Sequence, residues 1–282
     1  MQKTSRASGY RFKYGVAAAG AVGSSLIGQL SRETLGPVCG VSYRVASRIA
    51  NTLHGGYAVR SAMELNSAPA ILFHAPPDQV DGLLELLELA PVEWNGKPLI
   101  FCDCIADKTS VERFNALGAS VAMVRKFEIP GYLILEGTPL GLITGHRIAK
   151  ELRMKPIEIS AGCANVFDAA LTLGTCALTP LIDTAAAFLR QAGVRDTDAP
   201  RLAAALFQET ARSYAHSGKQ SWGWYMKEPE ANRIETQIEA AGPQMGHVLR
   251  QLLLYGFGLF GKHAATAGIL KTKARPDEAG LR

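Results

Sequence analysis

The feature that most constrains the fold is a run of small residues near the start of the chain. Residues 10–16, YRFKYGV, alternate apolar and polar side chains as a β-strand does. Gly20 and Gly23 follow, and an apolar periodic run continues to Leu30. This pattern predicts a strand, a tight glycine turn and a helix. Such a turn directs backbone N–H groups and the positive end of a helix dipole at one point, where a pyrophosphate can bind.

The turn resembles the dinucleotide-binding pattern G-x-G-x-x-G, with Ala18 at the first glycine position. In this alignment Gly20 lets a cofactor approach the backbone, and Gly23 lets the helix pack against its strand. The predicted cofactor-binding residues of the turn are Ala18, Ala19, Gly20, Ala21, Val22 and Gly23. Two other interpretations stay open, a structural strand–helix unit without a ligand, and a secretory signal peptide formed by the early basic residues and VAAAGAVGSS.

A second strand is predicted over residues 38–43, VCGVSY, about twenty residues after Gly20. An NAD-binding unit carries a carboxylate at the tip of this strand for the ribose 2′-hydroxyl. Here the tip has Ser42 and Arg44, with Arg48 in the following helix. A guanidinium offers a forked set of donors to a 2′-phosphate, so these three residues favour NADP over NAD. The alternative is that both arginines are ordinary surface charges.

The third strand is predicted over residues 70–74, and the chain continues with Pro76 and Asp78. Strand ends of an open parallel sheet face the ligand crevice, so His74, Ala75 and Pro76 are predicted beside the ribose and nicotinamide of the cofactor. Asp78 is predicted to cap a helix over 79–89. A histidine at a strand end is also often a satisfied structural group.

Strands and helices alternate up to residue 160, which predicts an α/β fold with a doubly wound, mainly parallel Rossmann sheet, followed by an all-helical C-terminal domain. Further strands are predicted at 98–103, 120–124, 132–135 and 156–160, and helices at 45–53, 109–117 and 139–152. Helices at 165–191 (kinked at Pro180), 199–216, 234–240 and 246–262 follow. The predicted domains are 1–160, 161–270 and a mobile tail, 271–282.

Composition narrows the function classes. The 282 residues are 48% hydrophobic and 20% charged with a net charge of +5, typical of a globular protein with about two domains. No basic stripe alternates with aromatics, so no nucleic-acid partner is expected. The apolar run 252–260 is too short to span a membrane, so none is expected. Five cysteines without a C-x-x-C pair, and no paired histidines, indicate reduced thiols, a cytoplasmic protein and no metal.

The chain resembles the ketopantoate reductase and 6-phosphogluconate dehydrogenase superfamily. It is also similar to a bacterial group of Rossmann-like proteins with a helical C-terminal domain of unknown function, whose first half is similar to deazaflavin-dependent NADP reductases. The segments that carry this resemblance are GVAAAGAVGSSLIGQL, SYRVASRIA, ILFHAPPDQV, ANVFDAALTLGTCALTPLIDTAAAFLRQAGV and LLLYGFGL. Where the group has His-Ser-Gly this chain has Cys102-Asp103-Cys104, and Phe167-Asp168-Ala169-Ala170 replaces Tyr-His-Ala-Ala. The resemblance thus implies dinucleotide binding but not a shared reaction.

Two functional hypotheses follow. The first is an NADP-dependent oxidoreductase that acts on a small carbonyl or imine in an interdomain crevice, with acid/base candidates Asp103, Lys126, Asn165 and Asp168. Asp103 and Asp168 are expected to meet across the crevice, although Asp103 also fits a cap and Asp168 an ion pair. The second is a non-catalytic dinucleotide-binding sensor or scaffold. A homodimer through the C-terminal helices is expected in both, and the aromatic loop 218–229 fits an interface or a lid.

Overall fold

The computed structural model describes residues 13–104, 107–221 and 231–260. The chain divides into two compact units, Met1–Ala170 and Leu171–Arg282. The first unit contains an eight-stranded sheet with the order β3-β2-β1-β4-β5-β6-β7-β8. Its strands are β1 (Tyr14–Ala18), β2 (Leu35–Cys39), β3 (Tyr57–Ala58), β4 (Ile71–His74), β5 (Pro98–Cys102), β6 (Ser120–Lys126), β7 (Tyr132–Gly137) and β8 (Lys155–Glu158).

The sheet is parallel from β3 to β6, and β7 is antiparallel to β6 and parallel to β8. The direction of winding changes between β1 and β4, which is where ligands bind in open α/β sheets. The predicted Rossmann α/β fold with its mainly parallel sheet is confirmed.

Helices cover both faces of the sheet, because its central strands are apolar on both sides. The helices that begin in the first unit are α1 (Tyr43–Leu53), α2 (Val80–Leu89), α3 (Lys108–Ala116), α4 (Pro139–Glu151) and α5 (Ala164–Thr172). Val16 and Ala18 of β1 belong to the apolar cluster that contains residues of α1 and α4. Ala17 belongs to the opposite cluster, with α2 and α3. Tyr14 to Ala18 is therefore a buried central strand, and the signal-peptide interpretation does not fit it.

The helix predicted directly after the glycine turn is wrong. Residues 24–30 contain a single 3₁₀ turn, Ile27–Gln29, and the next regular element is another 3₁₀ turn, Arg32–Thr34. Two features oppose a helix here. First, glycine and serine have low helix propensity. Second, the Ser25 hydroxyl donates to the Val22 carbonyl at 2.7 Å, and this local bond competes with the backbone hydrogen bond that a helix would form to the same carbonyl.

The second strand ends earlier than predicted. β2 stops at Cys39, and Ser42 is the N-cap of α1, where its hydroxyl accepts from the Val45 N–H at 3.3 Å. Because a serine in this position satisfies a free helical N–H, the helix begins at Tyr43. Arg44 consequently lies on the first turn of α1 rather than at a strand tip.

The prediction that Asp78 caps the next helix is wrong. Asp78 lies in a 3₁₀ turn, and the residue before α2 is Gln79.

The regular elements described after residue 170 are helical. The long predicted helix 165–191 consists of α5, a π-helical turn at Leu173–Ala177, and α6 (Leu178–Gln191). The interruption predicted at Thr179-Pro180 thus lies before the proline, whose missing N–H breaks the regular hydrogen-bond ladder there. Three further helices follow, α7 (Ala199–Ser217), α8 (Ala231–Ala240) and α9 (Gly242–Phe260).

Among the residues that the structure describes, one helical run, Ala164–Gln191, is long and apolar enough to cross a membrane by length and composition alone. Its most apolar window has a mean hydropathy of 1.3, and 6% of that window is buried within the chain. This differs from the expectation from sequence, which considers only the shorter run 252–260. Tyr10 to Phe12, most of the aromatic loop (residues 222–229) and the tail 271–282 lie outside the described residues.

Candidate functional site

The glycine turn leaves the sheet at the end of β1. Ala18 is fully buried and pairs with His74 in β4, so a methyl group at the first glycine position is accommodated as in an ordinary strand. Gly20 has a φ of +72°, and a Cβ atom there would lie 2.9 Å from Cδ of Pro76. The left-handed backbone and the close ring both require glycine at this position.

The turn presents backbone donors. Ala19 donates to the His74 carbonyl at 2.9 Å and Ser25 donates to the Val22 carbonyl at 3.1 Å. Between them, the N–H groups of residues 20–24 have no acceptor within the described part of the chain. Ala21, Gly23 and Ser24 are exposed. Successive unpaired backbone N–H groups in a turn form a concave site that suits an anion.

An open depression of about 770 Å³ lies along α1. Its lining residues are Tyr43, Arg44, Ser47, Arg48, Asn51, Thr52 and His54. A Cβ atom on Gly23 would lie 3.3 Å from Cγ2 of Thr52, so the depression adjoins the glycine turn. Arg44 and Arg48 are four residues apart and share one helical face.

A third guanidinium reaches this surface from the loop after β3. Cζ of Arg60 lies 4.7 Å from the centre of the Tyr43 ring, a cation–π contact. Sequence reasoning did not identify Tyr43, Asn51, Thr52 or Arg60 as site residues. Thr52 could have been predicted, because residues 44, 48 and 52 are spaced by four and share one face of a helix. Arg60 could not, because only the tertiary fold brings it to this surface.

His74 is bonded to the neighbouring strand. Its Nδ1 atom lies 2.8 Å from the Cys102 carbonyl oxygen, and because a carbonyl only accepts, Nδ1 is the donor. This geometry supports the structural alternative for His74. Ala75 is buried, and Pro76 is half-buried against Gly20. Side chains of buried Ala18, Ala19, Val22 and Ala75 offer no direct contact to a ligand, so these positions contribute backbone only.

Asp103 and Lys126 meet at the ends of β5 and β6. The Asp103 carboxylate accepts from the Leu26 N–H at 2.7 Å and from the Lys126 N–H at 3.0 Å. Nζ of Lys126 donates to the Ser24 carbonyl at 2.6 Å and lies 3.7 Å from Oδ2 of Asp103. Both side chains therefore contact the segment that follows the glycine turn.

Asp168 lies on α5 and pairs with a different cation. Arg125 donates from Nη1 and Nη2 to its two carboxylate oxygens at 3.2 and 3.3 Å. Asp103 and Asp168 thus pair with different cations, Lys126 and Arg125. Asn165 is exposed on the first turn of α5.

The thiols beside Asp103 are shielded. Cys102 and Cys104 are buried, and burial raises the pKa of Cys102 well above its usual value and that of Cys104 to about 12. Neither thiol is therefore suited to act as a nucleophile near neutral pH. Among the described residues, no group of three or more His, Cys, Asp or Glu side chains is placed to hold a metal ion.

Solved structures of dinucleotide-dependent enzymes superpose on most of this chain. An imine reductase from Aspergillus terreus in complex with NADPH4 and dibenz[c,e]azepine is 15% identical, with a TM-score of 0.58 and 96% of each chain covered. The chain shares the fold of this enzyme. An imine reductase variant from Myxococcus stipitatus in complex with NAD⁺ is 16% identical, with a TM-score of 0.58, and covers 95% of this chain and 94% of its own.

A third structure, from Bacteroides fragilis and classed as an NADP oxidoreductase, has a TM-score of 0.65 at 14% identity, and covers 90% of this chain and 100% of its own. No protein-family model matches the chain, and no curated protein sequence matches it. At these identities the comparisons show a common fold. The function must be argued from the site itself.

Proposed function

We propose that the protein is an NADP-dependent oxidoreductase that acts on a small carbonyl or imine substrate. The observation that carries the proposal is the contact between the glycine turn and the depression along α1. A site for one anion, the turn, adjoins a surface with two exposed arginines, Arg44 and Arg48. A dinucleotide that carries a 2′-phosphate has anionic groups for both places.

The residues present fit this cofactor. The unpaired N–H groups of residues 20–24 would hold the pyrophosphate, and Gly20 allows the left-handed backbone of this turn to lie against the Pro76 ring. Arg44 and Arg48 would hold the 2′-phosphate through charge-assisted hydrogen bonds. The cofactor, when bound, supplies a hydride to the substrate. A solved imine reductase of this fold in complex with NADPH4 and a solved reductive aminase in complex with NADPH agree with this choice.

A proton donor is also required, and we propose Lys126 for this role. Asp103 and Asp168 are engaged by cations, and Asn165 carries no acidic proton. The Lys126 ammonium has three N–H groups, of which one is used by the Ser24 carbonyl and one faces Asp103. The third has no acceptor in the described part of the chain, and we propose that it serves a substrate at the carboxyl ends of the strands.

We further propose a homodimer through the C-terminal helices. Large apolar side chains on these helices are exposed within one chain, among them Leu173 at 70% and Tyr255 at 70%. The most apolar window of the Ala164–Gln191 run is 6% buried within one chain. Exposed apolar surface of this extent indicates contact with another apolar surface. Leu173→Glu should turn a dimer into a monomer in analytical ultracentrifugation, whereas Leu89→Glu, at a leucine of α2 that is 87% exposed, should not. Partition of the wild-type chain into lipid vesicles would instead indicate a membrane.

The five free cysteines suit a reducing compartment, and we propose the cytoplasm. Cell fractionation with the untagged chain tests this location, and recovery in a secreted fraction would contradict it.

The experiment that tests the function is a thermal-shift titration with NADPH, NADP, NADH and NAD, followed by a screen of carbonyls and imines for NADPH oxidation. A ligand at about 100 times its Kd adds about 2.7 kcal/mol to the free energy of unfolding, which raises Tm by several degrees. We expect the shift with NADPH and NADP. A shift without turnover would favour a nucleotide-binding sensor, and no shift would exclude dinucleotide binding.

A further inference from the structure

We propose that Asp103 is a positioning residue that holds the glycine turn in its dinucleotide-binding conformation. This role rests on the proposed dinucleotide binding and adds a residue to it. In a common Rossmann unit, the helix after the turn fixes the turn's shape. Here one 3₁₀ turn, Ile27–Gln29, stands in that place, so another element must supply the constraint.

The constraint comes from two neighbouring strand ends. Oδ2 of Asp103 accepts from the Leu26 N–H at 2.7 Å, while Oδ1 accepts from the Lys126 N–H at 3.0 Å. The Lys126 ammonium donates to the Ser24 carbonyl at 2.6 Å. The segment after the turn is therefore held at two points, Ser24 and Leu26, by a carboxylate and an ammonium that also face each other at 3.7 Å. We call these four residues the turn clamp.

The position of the Asp103 carboxylate is itself fixed. The backbone of Asp103 has a φ of +51°, a left-handed conformation that residues other than glycine rarely adopt. Its N–H donates to the Val124 carbonyl at 3.0 Å, and its side chain is 19% exposed. An unfavourable backbone conformation persists when the surrounding structure determines it. The clamp is therefore anchored to the sheet.

A purely structural role and a positioning role have different consequences. If the clamp only stabilises the fold, its loss lowers Tm and leaves the dinucleotide affinity of the folded protein unchanged. If it positions the turn, the folded protein samples other loop conformations once the clamp is removed. The apparent Kd then rises in inverse proportion to the population of the binding conformation, so a turn that is competent about a tenth of the time binds about tenfold more weakly.

The experiment uses three variants of the full chain. Asp103→Ala removes the clamp. Asp103→Asn keeps an oxygen for the Leu26 N–H and a side chain that tolerates positive φ, but loses the charge that attracts Lys126. Asp107→Ala is the matched control, because Asp107 also accepts from a backbone N–H, that of Ser110 at 2.6 Å, and caps α3 without contacting the turn.

Two readouts separate this proposal from the proposed function. For the first, amide hydrogen exchange, we expect the Leu26 N–H to exchange faster in Asp103→Ala and to keep its wild-type rate in Asp107→Ala. For the second, NADPH affinity, we expect a loss of about tenfold or more in Asp103→Ala, a smaller loss in Asp103→Asn, and no loss in the control.

An unchanged Leu26 exchange rate in Asp103→Ala would overturn the proposal, as would equal NADPH affinity in Asp103→Ala and Asp107→Ala. Failure of the wild-type chain to bind any of the four dinucleotides would instead contradict the proposed function. In that case the exchange rate of Leu26 still decides whether Asp103 holds the turn.

Discussion

Arg125 and Asp168 form a two-pronged ion pair that joins the end of β6 to α5. The two guanidinium nitrogens lie 3.2 and 3.3 Å from the two carboxylate oxygens, and the residues are 43 positions apart in the chain. The arginine side chain is 18% exposed and the aspartate side chain is 37% exposed. This geometry gives Asp168 a partner that explains its presence without a catalytic role.

The variant Asp168→Asn tests this explanation. Since the carboxylate is more than a third exposed, solvent screening limits the effect to a loss of about 0.5–1 kcal/mol in the free energy of unfolding. Arg125→Met should cost a similar amount, because it breaks the same pair. Urea denaturation measures both. Once a substrate is found, kcat should stay close to the wild-type value in both variants, and a selective loss of kcat in Asp168→Asn would make Asp168 catalytic.

The variant Arg44→Ala tests the preference for NADP. A charge-assisted contact contributes roughly 1.5–3 kcal/mol, so NADPH should bind about 10- to 150-fold more weakly while NADH is scarcely affected. Isothermal titration with both dinucleotides measures the difference. Arg201→Ala, which removes the same charge from an exposed position of α7, is the control. Equal losses for the two dinucleotides would remove the 2′-phosphate assignment.

The variant Gly20→Ala tests the glycine turn. An alanine at the φ of +72° found at Gly20 lowers the free energy of unfolding by about 1–2 kcal/mol. The new methyl group would also lie 2.9 Å from the Pro76 ring. We expect a lower Tm together with weaker NADPH binding. Gly82→Ala in α2 has nothing within 4 Å of the new Cβ, and should raise stability by about 0.5–1 kcal/mol. A Gly20→Ala protein with wild-type affinity would argue against the left-handed turn at Gly20 as the dinucleotide-binding conformation.

The buried thiols predict a loss of stability at alkaline pH. Burial raises the pKa of Cys39 from 9.0 to about 11 and that of Cys104 to about 12. In the unfolded chain these thiols ionise near pH 9, so they favour the unfolded state progressively from there up to their folded pKa values. The free energy of unfolding should therefore be unaffected by them below pH 9 and should fall as the pH rises to about 11. Cys39→Ala should reduce this slope in urea denaturation measured from pH 8 to 11.

Accessibility of the same thiols gives an independent check. Cys176 is exposed, whereas Cys39, Cys102 and Cys104 are buried. Iodoacetamide at pH 8 should therefore leave the three buried thiols unmodified in the native protein and reach them only after denaturation, as mass spectrometry of tryptic peptides would show. Rapid native alkylation of Cys102 would mean that the end of β5 opens frequently.

The sheet could be predicted from sequence because its signals are local. Short apolar runs such as ILFH and PLIFC, each bounded by turn residues, give strands in the same places in the structure. The two-residue strand β3 carries no such signal, since Tyr57 and Ala58 become a strand only by pairing with β2. The same limit applies to the ends of β2, where a serine cap decides the boundary.

The candidate site follows from the sequence only in part. Arg44 and Arg48 follow from spacing along the chain and line one depression beside the glycine turn, and their role in binding stays a prediction. The pairing of Asp103 with Leu26 does not follow, because the two residues are 77 positions apart and the sequence pattern near Leu26 favours a helix. Arg60 and Tyr43 likewise meet only through tertiary structure.

The contacts of the turn clamp also set an order of events during folding. Leu26 is bonded to a residue 77 positions later, and Ser24 to one 102 positions later. A folding chain that has formed only β1, β2 and β4 contains the glycine turn but lacks its contacts with Asp103 and Lys126. Long-range contacts of this kind form late, because they require closure of large loops. The capacity to bind a dinucleotide should therefore appear only after β6 joins the sheet, which makes ligand binding a reporter of the final steps of assembly.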